Sequence, residues 1–160
     1  MRKKFFLHVY MVGVYADKAT AERVALKLKQ SAQSEVNLAD ALYEETKRSS
    51  VTVLLRFYRN VSNEQFINAI VQAFEGVPAE ATASFRAYLQ EVVGDGLSKD
   101  DVLEISWLKG GGLSMAKNQA KGLCFPKKDE VERRLMQVYL DPARTVSQEV
   151  VQTTLANLKK

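Results

Sequence analysis

The chain has 160 residues and a mass of 18.0 kDa, the size of one domain built around one core. Hydrophobic residues at 46% and charged residues at 26% exclude global disorder, and three prolines and eight glycines exclude collagen-like and low-complexity classes. The net charge of +4 and pI near 9.1 are too modest, without a basic run interleaved with stacking aromatics, to point to nucleic acid.

No apolar run approaches the ~18–20 residues that span a bilayer. A single cysteine, Cys124, excludes an internal disulfide and a cysteine-based zinc cluster. A single histidine, His8, argues against a Ser-His-Asp hydrolase and a multi-histidine metal site. No catalytic set, metal site or cofactor motif is expected. The first residues lack the pattern of a signal peptide, which points to the cytosol and leaves an upstream leader open.

In chain order, Phe5–Tyr15 is aromatic and β-branched without an acidic residue, and predicts a long strand central in a sheet. Asp17 caps a helix in which Ala21, Val24, Ala25, Leu28 and Ala32 share one face. Residues 33–49 are polar and read as a surface insertion holding a short helix around Leu38, Leu42 and Tyr43. Val51–Tyr58 is a second strand. Asn60 or Ser62 caps the next helix, since Glu64 and Gln65 follow Ser62. Phe66, Ile70 and Phe74 fall on its buried face, and Gly76 and Pro78 end it. A helix over Ala79–Val93 comes next.

After a turn at Gly94–Gly96, the segments Asp101–Leu108, Leu113–Ala116 and Gly122–Phe125 predict an antiparallel meander. Pro126 opens a helix to about Leu140, with Val131, Leu135 and Val138 inward. A final helix runs from Ser147 with Val151, Leu155 and Leu158 on one side. Adjacent hairpins and segregated helices give an α+β class.

Phe6–Tyr15, Leu54–Phe66 (LLRFYRNVSNEQF), Leu103–Gly122 (LEISWLKGGGLSMAKNQAKG) and Val138–Val150 together resemble, in order, the segments of the chalcone isomerase-like superfamily. The resemblance implies an open-faced β-sandwich, a large antiparallel sheet covered by a layer of helices with a ligand cleft between them. The superfamily contains chalcone-flavanone isomerases, fatty-acid-binding proteins and members without known activity. Ring closure by the isomerases needs hydroxyl and amide donors around a ketone. By the resemblance Tyr10 stands at the strand threonine, Phe66 at the helix tyrosine, Ala73 at the asparagine, and Val138 near the last threonine. Phenylalanine and alanine side chains donate no hydrogen bond. Loss of even one preorganised donor costs about 3–4 kcal/mol of transition-state stabilisation. The expectation is therefore a non-catalytic protein.

In the fatty-acid-binding relatives an arginine ahead of the long strand and a nearby tyrosine hold the carboxylate, which implies Arg2 and Tyr10 here. Guanidinium and phenol together suit a carboxylate. Their separation along a continuous strand is roughly 27 Å, so a shared carboxylate requires a turn at Lys3-Lys4. Phe66, Ile70, Ala73 and Val138 would line the apolar part. The expected partner is a fatty acid or similar apolar small molecule. The competing expectation is an interaction domain whose cleft is filled by Tyr10, Phe66 and Phe74. His8 reads as a structural histidine, Gly110–Gly112 as a hairpin turn, Arg56 and Arg59 as paired surface charges, and Cys124 as a buried apolar residue.

Overall fold

In a computed structural model of the chain, residues 10–30 and 37–140 are described. The strands are β1 (Tyr10–Tyr15), β2 (Val51–Phe57), β3 (Val61–Ser62), β4 (Gly96–Leu97), β5 (Val102–Trp107), β6 (Leu113–Lys117) and β7 (Leu123–Phe125). The helices are α1 (Lys18–Gln30), α2 (Leu38–Glu45), α3 (Asn63–Val71), α4 (Ala79–Val93) and α5 (Asp129–Leu140). The expected final helix from Ser147 lies outside the described residues, as do Arg2 and His8.

Five strands form one antiparallel sheet in the order β1-β2-β5-β6-β7. Alternation of side chains along each strand sorts the sheet into two faces. Val51, Val53, Leu55 and Phe57 of β2 share the inner face with Leu103, Ile105 and Trp107 of β5, Leu113 and Met115 of β6, and Phe125 of β7. All of these are buried. Helices α3, α4 and α5 contribute Phe66, Ile67, Ile70, Phe85, Leu89, Val131 and Leu135 to the same core. The opposite face carries Met11, Tyr15, Leu54, Arg56, Glu104, Ser106 and Cys124, none of them buried. This is the α+β class that the element order predicts and the open-faced architecture that the family resemblance implies.

Local grammar accounts for several boundaries. Ser62 accepts the Gln65 N–H at 3.1 Å while the Gln65 side chain accepts the Ser62 N–H at 3.1 Å, a reciprocal cap that starts α3. Asp17 accepts the Thr20 N–H at 2.8 Å at the head of α1. Gly96 holds φ +127° in β4, where a Cβ would come within 2.8 Å of the Val61 carbonyl; only glycine lets β3 and β4 approach.

Four expectations are corrected. The long strand is not central: among the described residues β1 is an edge strand, paired only with β2. The 33–49 segment is not a surface excursion where it is described. Leu38, Ala39, Ala41, Leu42, Tyr43 and Glu45 of α2 are buried, and α2 packs on α5 and α1. Cys124 is exposed, because its position on β7 points to the open face. Helix α3 ends at Val71 rather than near Gly76. Phe74 is nonetheless buried beyond its end and stacks on Phe85, centroids 5.2 Å apart. Arg56 does pair at the surface, with Asp100 at 3.3 Å.

Candidate functional site

Tyr10 of β1 lies opposite Phe57 of β2, and both side chains point to the helical layer. Their ring centroids lie 5.6 Å apart. Tyr139, from the last turn of α5, meets Tyr10 edge-on at 6.5 Å. Phe66, from α3, meets Phe57 edge-on at 6.0 Å. A run of four rings, Tyr139, Tyr10, Phe57 and Phe66, thus crosses from one helix to the other under the sheet's inner face. Edge-on pairs of this kind add about 0.5–1.5 kcal/mol beyond the area they bury.

Of the residues expected in the site, the structure brings Tyr10 and Phe66 to opposite sides of Phe57. Ile70 is buried one turn beyond Phe66 on α3, and Val138 is buried beside Tyr139 on α5. Ala73 lies past the end of α3 and is half-buried against the core. Its carbonyl accepts Arg134 Nη1 at 3.0 Å, as does that of Glu75 at 2.6 Å, so backbone rather than side chain ties this turn to α5. Arg2 lies outside the described residues.

Phe57 and Tyr139 are the members that sequence reasoning missed. Phe57 carried a signal: with Val51, Val53 and Leu55 it completes one alternating row. Tyr139 carried one as well, at i+8 from Val131 and i+4 from Leu135.

Tyr10 is half-buried, and no hydrogen bond to its hydroxyl occurs among the described residues. Burial alone pushes its pKa up to about 12. Tyr139 is raised as well, first by burial and then by Tyr10. At neutral pH both are neutral phenols, and Tyr10 presents a donor in an apolar setting. The neighbouring inner-row residues of β1, Val12 and Val14, are also only half-buried, whereas the facing β2 residues Leu55 and Val53 are fully covered. The helical layer is therefore tight over β2 and β5 and looser over β1 among the described residues. Two surface hollows, of about 380 and 320 Å³, lie elsewhere. The first is beside Tyr43, Lys127 and Arg133, the second beside Asn63 and Arg86. No group of three His, Cys, Asp or Glu stands together among the described residues. No helix among them is long and apolar enough to cross a membrane.

The chain belongs to the chalcone isomerase-like family, whose sequence model matches residues 1–149. Among solved structures it is similar to a fatty-acid binding protein of Arabidopsis thaliana, with a TM-score of 0.66 and 15% identity. That likeness covers 94% of this chain and 78% of the other. No curated protein matches it in sequence.

Proposed function

We propose that this protein binds a fatty acid or similar apolar carboxylate between the sheet and the helical layer, with Tyr10 donating to the carboxylate. The observation that carries the reading is the Tyr10 phenol: a neutral donor, half-buried against the Phe57 and Tyr139 rings and without a hydrogen-bond partner among the described residues. A half-buried hydroxyl in apolar company is stabilised by an acceptor, and a carboxylate is a strong one. Arg2 is the proposed second arm of that clamp, and Phe66, Ile70, Ala73 and Val138 its apolar surroundings. Likeness of fold to a fatty-acid binding protein supports the ligand class. Ring-closing chemistry is not part of the reading, because the Phe66 and Ala73 side chains offer no donor to a ketone.

The test is native mass spectrometry after gentle purification, followed by titration with long-chain acids. Bound or acquired acid is expected in the parent protein. Tyr10→Phe is expected to weaken that binding more than tenfold. A parent chain that neither carries nor takes up acid defeats the reading.

One observation favours a second reading. Phe57, Phe66, Ile70 and Tyr139 are all at most 5% exposed, so this part of the sheet–helix interface is packed solid. An interaction domain with a closed cleft would look the same there. It predicts no acid uptake by either the parent or Tyr10→Phe.

A further inference from the structure

The hydrogen-bonding direction of β2 fixes that of β1. Phe57 donates its N–H to the Asp101 carbonyl at 2.9 Å and accepts from the Asp100 N–H at 2.7 Å, both on the β5 side. In an antiparallel ladder a residue's N–H and C=O point to the same side and alternate residue by residue. Val51, Val53, Leu55 and Phe57 therefore bond β5, while Thr52, Leu54 and Arg56 bond β1. Their partners Tyr15, Gly13 and Met11 are spent on that ladder. Tyr10, Val12 and Val14 direct their backbone groups away from β2, to an edge that no other described strand occupies.

Edge strands of this kind are ordinarily blunted by charge, proline or a bulge. The segment YMVGVY has no charged residue and no proline, and its six pairs with β2 run without a bulge. Its open-face side chains Met11 and Tyr15 are 53% and 57% exposed. We propose that β1 pairs antiparallel with β1 of a second copy of this chain, joining two sheets into one about a two-fold axis.

The strand is complementary to itself in one register. With the axis at Val12, Val12 faces Val12 of the other copy, and Tyr10 faces Val14 in both directions. These are the three residues whose backbone groups no described strand takes, and each facing pair exchanges two hydrogen bonds. On the open face Met11 then faces Gly13 of the second copy. Gly13 has no side chain, and the Tyr15 ring folds over it: a Cβ there would lie 2.9 Å from Tyr15 Cε2. Met11 of one copy thus meets the Tyr15 ring of the other, a favourable sulfur–aromatic pairing. A second copy fits better than an unrelated strand because an uncharged strand does not repel itself and this register repeats its own glycine–methionine match. One strand pair buries less than the ~1,200–2,000 Å² of a stable interface, so the dimer forms reversibly with concentration.

Sedimentation and light scattering over a micromolar to millimolar series test this. The mass is expected to rise toward twice the 18.0 kDa of the chain. Val12→Pro removes an outward N–H without touching the β2 ladder and is expected to keep the chain monomeric. Met11→Lys, at an exposed position, is expected to do the same, and serves alone if Val12→Pro does not fold. Amide exchange of Val12 and Val14 is expected to slow as concentration rises, while Met11 and Gly13 stay slow throughout. A monomer at every concentration overturns the proposal. So does a dimer that survives the folded variants with Val12 and Val14 exchange unchanged.

Discussion

Tyr10 shows how one side chain's role depends on neighbours far away in sequence. Its ring is held by Phe57 and Tyr139, which lie on different elements. No described group holds its hydroxyl, so Tyr10→Phe removes no hydrogen bond to a described residue. The expected stability change is below about 1 kcal/mol, the worth of one ordinary hydrogen bond, measured by urea unfolding without ligand. The same burial sets an alkaline limit. The folded pKa of Tyr10 is raised above its unfolded value of 10, so its contribution is complete below pH 10 and is lost as pH rises toward about 12. Burial raises Tyr88 and Tyr139 in the same direction. Phenolate absorbance from these three is expected to appear above pH 10, and together with unfolding rather than before it. Smooth titration of all three in a fully folded protein would contradict their burial. The placement of Tyr10 under the helical layer was legible from its strand and from the family resemblance. Its aromatic company was only half legible, because nothing in the sequence states which helix end reaches which strand end.

The helices divide into those whose rules are local and one whose rule is not. Helix α3 is local: its cap is written in four consecutive residues, and Ser62→Ala is expected to cost about 1 kcal/mol by thermal or urea unfolding. Helix α2 is not. The polar composition of 33–49 as a whole points to a surface, yet Glu45 of α2 is buried with the apolar residues. Glu45 can be there because Arg23 Nε and Lys27 Nζ of α1 reach its two oxygens at 2.6 and 3.0 Å. No periodicity within 33–49 records partners on another helix, which is why the segment looked like an insertion. In return, Glu45 anchors α1, whose only buried residues are Thr20 and Val24.

Burial works to raise the pKa of Glu45, but the hydrogen bonds and charges of Arg23 and Lys27 outweigh it and leave it below the ordinary value of 4.5. A lowered folded pKa means that this stabilisation is present above pH 4.5 and is lost as pH falls below it. Amide exchange in α1 is therefore expected to speed up below about pH 4.5, ahead of exchange in the β2–β5 ladder. In Glu45→Gln the α1 amides are expected to exchange faster already at neutral pH, with a weaker acid dependence. An unchanged acid dependence in that variant would show that Glu45 is not the anchor.

At the scale of the molecule, the inner face of the sheet is covered unevenly among the described residues, and the proposed ligand is assigned to its half-covered row. Over β2 and β5 the inner row is fully buried, so any ligand there must displace packed side chains, and truncations show that voids in such places cost several kcal/mol. Over β1 the row Tyr10, Val12 and Val14 is half-covered. Residues four apart along a strand span about 14 Å. A carboxylate at the Tyr10 hydroxyl would thus send its tail past Val12 to Val14. The expected outcome for Val14→Trp is binding of long-chain acids weakened at least tenfold with short-chain acids unaffected, read by calorimetric titration. The larger ring is tolerated because the position is not enclosed, and stability is expected to change by less than about 1.5 kcal/mol. Ile105→Trp, in the enclosed part of the same face, is expected to destabilise the fold by about 1–3 kcal/mol through overpacking. Equal loss of long- and short-chain binding in Val14→Trp would place the tail elsewhere, and a severe loss of stability there would show that β1 is as tightly covered as β2.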